Sequence, residues 1–174
     1  MEKLYGQDLS GQVFYKISKS CPEISSLCAE PHYIDYHPKT LVKDTGAHRL
    51  CFVPAEFVIR CIPYGDQLTE ITFDSSSPFF PEIANLEIKR TNPVFNEFNS
   101  EAVITGNNYS LSNPQTMAKI IAMASPELLH YYVTLDDCAD RKISITKHLE
   151  RLGFLTTLDY WRSVIDYHRN RVHL

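Results

Sequence analysis

Proline placement constrains this chain more than any other feature. Eight of the ten prolines fall before residue 112. A proline inside a helix removes a backbone donor and clashes with the preceding turn, so long helices are disfavoured there. What remains for that part is strands and loops. Residues 12–17 are rich in β-branched and aromatic side chains and predict a strand. Further strands are expected over 32–36, 49–53, 86–90 and 102–105. Residues 56–62 and 68–73 flank a segment holding Pro63, Gly65 and Asp66. These supply a fixed φ, a permissive φ and a side chain that bonds its own backbone, so the pair predicts a β-hairpin.

The character changes near Ser112. Asn113 suits an N-cap and Pro114 suits the first helical position, where no N–H is needed. Met117, Ile120, Ile121 and Ala124 then recur at helical spacing. Ser125, Pro126 and Glu127 repeat the start signal, and Leu128, Leu129, Tyr132 and Val133 form a second stripe. A third helix is expected from about Ser144 to Gly153, and a fourth after Thr156 or Thr157. Strands first and helices last predict an α+β fold. The expected form is one N-terminal antiparallel or mixed sheet of about five to seven strands, packed against about four C-terminal helices. The 174 residues are read as a single domain, with 1–111 mainly β and loops and 112–174 helical.

Charge divides along the same line. Residues 1–140 carry 10 basic and 18 acidic side chains, a balance of −8, whereas 141–174 carry 7 and 3, a balance of +4. An acidic body with a pI near 5.9 gives no overall attraction to phosphate, which argues against nucleic-acid binding by bulk charge. In the tail, His148, His168 and Arg169 could serve a phosphate. Cations near helix C-termini are favoured without any ligand. No stretch approaches the ~18–20 apolar residues of a membrane span. The first residues lack the apolar run of a signal peptide, so a cytoplasmic chain is expected. Five widely spaced cysteines agree with that expectation, and the sequon Asn108, Tyr109, Ser110 has meaning only in a secreted chain.

The six glycines form no dinucleotide or P-loop cradle, and HExxH, GxSxG and CxxC are absent. Cys21, Cys28, His32 and His37 have the residue types of a zinc site, but their spacing is too wide for a knuckle. No cofactor is expected. Cys51 with His48 is the best nucleophile pair, although three residues apart on a strand they would face opposite ways. Cys138 sits among acids that would blunt it.

Two features point to a partner. Asp136, Asp137 and Asp140 form a dense acidic group suited to a positive surface. Phe79 and Phe80 lie between Pro78 and Pro81 in a loop, a poor place to hide two phenyl rings. The expected function is therefore non-catalytic protein binding. Its specific form is an inhibitor or immunity protein that masks a basic enzyme such as a nuclease toxin. The alternatives are a small hydrolase or transferase with a dispersed Cys/His site, and an effector that docks onto another protein.

Overall fold

The residues that most shape the architecture are Phe14, Tyr15, Lys16, Ile17 and Ser18, because a strand with five consecutive buried positions needs cover on both faces. The computed structural model describes residues 3–20, 35–44, 50–93, 96–125 and 127–128. Its strands are β1 (Leu4–Tyr5), β2 (Val13–Ser18), β3 (Leu41–Lys43), β4 (Leu50–Phe52), β5 (Gln67–Thr72), β6 (Glu87–Asn92), β7 (Glu97–Ser100) and β8 (Ala102–Ser110). The α-helices are α1 (Phe80–Ile83) and α2 (Pro114–Met123), and 3-10 helices run over Gly6–Leu9 and Ala55–Tyr64.

The strands form two antiparallel sheets, ordered β1-β6-β7-β4 and β2-β5-β8-β3. They join at one corner, where Tyr15 and Val53 exchange two backbone hydrogen bonds of 2.9 Å. The sheets share one core. Phe14 from the second sheet meets Phe52 and Phe98 from the first edge-on, at 5.3 and 5.7 Å between ring centres, and Phe73 at 5.7 Å. Edge-to-face rings place positive edges on negative faces, which favours this arrangement over sandwiched rings. Leu50, Ile71, Ile83, Ile88 and Val103 complete this core.

The outer face of β2 and β5 carries a second core of Tyr15, Ile17 and Leu68. Val58, Ile59 and Ile62 of the 3-10 helix and Ile120 of α2 cover it. Asn113 caps α2 as its residue type suggests, accepting the Gln115 N–H at 3.0 Å. Residues 127 and 128 are also helical, and the Leu128 N–H donates to Ser125 Oγ at 3.2 Å.

The expected single sheet against about four C-terminal helices is overturned by this arrangement. Among the described residues eight strands divide into two sheets that pack on each other, and one of the covering helices comes from inside the strand-rich part. The expected hairpin fails for the same reason. Residues 56–62 lie in the 3-10 helix, because the apolar positions 58, 59 and 62 share one helical side and find a sheet face to cover. Gly65 is extended, with φ −175°. Its lack of a side chain serves close approach, since a Cβ there would sit 2.0 Å from the Ser18 carbonyl oxygen. The strand expected over 32–36 has no counterpart at 35–36, and 32–34 lie outside the described residues, as do the third and fourth helices. No helix among the described residues is long and apolar enough to cross a membrane.

Candidate functional site

The sequence-predicted Phe79 and Phe80 lie at a seam. α1 is tied to the end of β1 on one side and to β3 on the other, each an edge strand of its sheet. The Gly6 N–H donates to Leu86 O at 3.1 Å and the Gln7 N–H to Ala84 O at 2.8 Å, which ties the first strand to the residues after α1. On the other side Lys43 of β3 meets Glu82 of α1 at 2.5 Å. Gly6 is fitted to this contact, since a Cβ would lie 2.2 Å from Ile83 O.

Phe79 and Phe80 are half-buried here, and both pack on the shared core with Leu4, Leu41 and Leu86. Acidic groups stand on the elements around them. Asp8 follows β1 and accepts the Tyr5 N–H at 2.8 Å. Asp74 accepts from Ser76 N and Oγ at 2.9 and 2.7 Å, and these two hydrogen bonds hold its carboxyl below the ordinary range. Glu82 lies on α1 and Glu87 at the near end of β6. Lys3 and Lys43 are the neighbouring bases. Asp136, Asp137 and Asp140 lie outside the described residues.

The Cys/His candidates gather into no site among the described residues. Cys21, Cys28, His32, His48 and Cys138 are outside them. His37 is exposed and 2.9 Å from Asp35, and no group of three or more metal-ligating side chains occurs among the described residues. Cys51 and Cys61 are free thiols. Burial pushes the Cys61 thiol up to about 12, against the pull of Arg60 and Lys16, so it is not a thiolate near neutral pH.

Two polar constellations were not anticipated. The first is on the outer face. A bulge in β8 sets two residues opposite Glu70 of β5, and the Asn107 N–H donates to Glu70 Oε2 at 3.0 Å. Glu70 Oε1 accepts from Tyr109 OH at 2.8 Å and from Lys119 of α2 at 3.3 Å. Burial alone would raise the Glu70 carboxyl, but these three donors outweigh it and hold it low. Burial likewise works against the Lys119 ammonium, and Tyr109 and Glu70 outweigh that and hold it high. The ammonium lies 4.4 Å from the Tyr109 ring centre and 5.8 Å from that of Tyr15, whose phenol burial pushes up. This network fastens α2 to the sheet.

The second lies on the inner face. Lys16, Thr69 and Asn108 stand opposite one another across β2, β5 and β8, and Ser18 is two residues from Lys16 on the same side. Lys16, Ser18 and Thr69 are buried. The loop before β3 lies along β8. Asn108 Nδ2 donates to Tyr36 O at 2.6 Å, and Lys16 Nζ is 5.4 Å from the Tyr36 ring centre. The sequon amide is thus engaged inside the fold. Alternation in β2 carried the signal, since Phe14, Lys16 and Ser18 must share a face.

Comparison with protein-family models, curated proteins and solved structures found no match.

Proposed function

We propose that the chain is a non-catalytic protein-binding protein that engages a basic partner surface at the α1 seam. Its specific form is an inhibitor or immunity protein that covers a basic enzyme such as a nuclease toxin. The observation that carries this reading is the seam itself. Two half-buried phenyl rings pack on the core beside Leu4, Leu41 and Leu86, and the neighbouring segments carry Asp8, Asp74, Glu82 and Glu87, with Lys43 paired to Glu82. Aromatic anchors beside an excess of acidic charge are how an interface gains both affinity and steering. The Cys/His enzyme reading draws no support from Cys61, which burial keeps protonated.

The test uses purified full-length chain and its native host extract. A basic protein is expected to be retained in fixed stoichiometry at low salt and released as ionic strength rises. At physiological strength the Debye length is ~8 Å, so rim charges are already partly screened. The double substitution Phe79→Ser, Phe80→Ser is expected to abolish retention. Glu87→Lys leaves the core untouched and is expected to weaken it. Retention that ignores salt and survives both variants overturns the proposal, and thermal melts of each variant separate lost binding from lost folding.

A further inference from the structure

The Lys43–Glu82 pair crosses the α1 seam at its surface. Lys43 Nζ of β3 donates to Glu82 Oε2 of α1 at 2.5 Å, and the two side chains are 59 % and 50 % exposed. An ion pair this open to water contributes little to stability, because solvent screens it and two long side chains lose freedom to form it. α1 is fixed by other means. Ile83 is fully buried, and main-chain bonds join Gly6 to Leu86 and Gln7 to Ala84. The pair can therefore open without unfolding the seam. Glu82 also lies three residues after Phe79 along one helical turn, and its N–H donates to Phe79 O at 3.0 Å. Residues at that spacing share one side of a helix. A half-buried phenyl ring and a half-exposed carboxylate thus stand on one side of α1, and a lysine from β3 occupies the carboxylate.

A carboxylate beside an aromatic ring suits a guanidinium better than an ammonium. A guanidinium is planar, gives two parallel N–H bonds to a carboxylate and stacks on rings, whereas an ammonium is a point charge. Lys43 bonds Oε2 of Glu82, and Oε1 accepts nothing among the described residues. We infer that Glu82 and Phe79 form the receiving site for an arginine of the basic partner, and that Lys43 holds the carboxylate until that arginine replaces it. The guanidinium takes both carboxylate oxygens and covers the Phe79 ring, and the Lys43 ammonium returns to water. Lys43 is thereby a built-in competitor. It discriminates against a partner lysine, whose ammonium gains nothing over the one already in place. The site belongs to the docking seam proposed above and rests on that reading; what it adds is the residue type the partner must present.

The probes are hexa-arginine and hexa-lysine peptides, titrated calorimetrically into the full chain at low salt. Wild type is expected to bind hexa-arginine at least about threefold tighter than hexa-lysine. Lys43→Met keeps the stem and removes the charge, and it is expected to tighten hexa-arginine binding at least about threefold. Lys39→Met removes the same charge from a lysine with no ion pair among the described residues, and it should change affinity by less than about twofold. Glu82→Gln should erase both the arginine preference and the effect of Lys43→Met, as a double-mutant cycle between coupled groups requires. Melting curves check that each variant is folded. Equal binding of the two peptides by wild type overturns the assignment, and so does a Lys43→Met gain no larger than that of Lys39→Met. Failure of both peptides to bind wild type and Lys43→Met overturns it as well. That failure leaves the docking reading to its own test, the retention of a basic host protein and its loss in the Phe79→Ser, Phe80→Ser variant.

Discussion

The two faces of the β2–β5 pair treat polar groups in opposite ways. On the outer face, Glu70, Tyr109 and Lys119 are mutually paired, and the charged forms of Glu70 and Lys119 are favoured by their neighbours over the cost of burial. On the inner face, the Ser18 and Thr69 hydroxyls are buried more deeply and bond nothing among the described residues. The first arrangement needs no ligand and serves to hold a helix. The second leaves its hydroxyls unpaired. The same three strands therefore carry a paired polar network on one face and a polar layer with unpaired hydroxyls on the other, and substitutions on each face ought to answer differently.

The largest effect is expected in the core that both sheets share. Phe14→Ala deletes a ring that touches Phe52, Phe73 and Phe98, and it should cost about 3–5 kcal/mol in chemical denaturation. Ile120→Ala on the outer face should cost about 2–5 kcal/mol. If Ile120→Ala proves the more damaging, the helix-covered face and not the aromatic core dominates the fold.

Next come the close approaches. Gly6→Ala and Gly65→Ala would each push a methyl group into a backbone carbonyl, of Ile83 and Ser18 respectively. Backbone yields less readily than side chains, so each should lose about 1–3 kcal/mol, as overpacked sites do. The two report on different regions. Gly6→Ala is expected to disturb the α1 seam and any partner retention there, whereas Gly65→Ala should disturb the end of β2 beside Ser18.

These cases show how much was legible in the residues themselves. Strands β2, β4, β5, β6 and β8 and the start of α2 follow from alternation, β-branched content and the Asn113–Pro114 signal. The short strands β1, β3 and β7 do not. Leu4–Tyr5 and Leu41–Lys43 are too brief to show a period, and Glu97–Ser100 is too polar. The helical state of 55–64 was hidden because Phe57, Val58, Ile59 and Ile62 favour strands locally, and only the waiting sheet face decides otherwise. Phe79 and Phe80 could be singled out from their proline-flanked loop, but the seam around them depends on which strands end each sheet. Lys16 was visible as a charge within an apolar strand, whereas its alignment with Thr69 and Asn108 required the register across three strands.

A smaller effect is expected from the outer network, and it carries a pH signature. Glu70→Gln keeps the shape and removes the charge, and hydrogen bonds to charged groups contribute roughly 1.5–3 kcal/mol. Glu70 is held below its ordinary value in the fold, so its contribution is present above the ordinary carboxylate range and is lost as pH falls through the lowered value. Lys119 is held above its ordinary value, so its contribution is full below that value and fades as pH rises through the raised one. Stability of the wild-type chain should therefore fall at both extremes. The acid-side loss should shrink in Glu70→Gln, and the alkaline-side loss in Lys119→Met. Parallel acid curves for wild type and Glu70→Gln would mean that the carboxylate is not the group holding α2.

The smallest expected change is the most discriminating. Tyr109→Phe on the outer face removes a hydroxyl that donates to Glu70 and should cost about 1 kcal/mol, as a typical bond does. Thr69→Val on the inner face replaces an unpaired hydroxyl with a methyl of similar size, which relieves its desolvation. It should be neutral or stabilising by up to about 1 kcal/mol. Two conservative swaps on adjacent rows of one sheet would then move stability in opposite directions. If Thr69→Val destabilises the chain as Tyr109→Phe does, the hydroxyl is already bonded within the fold, and the inner layer is structural like the outer one.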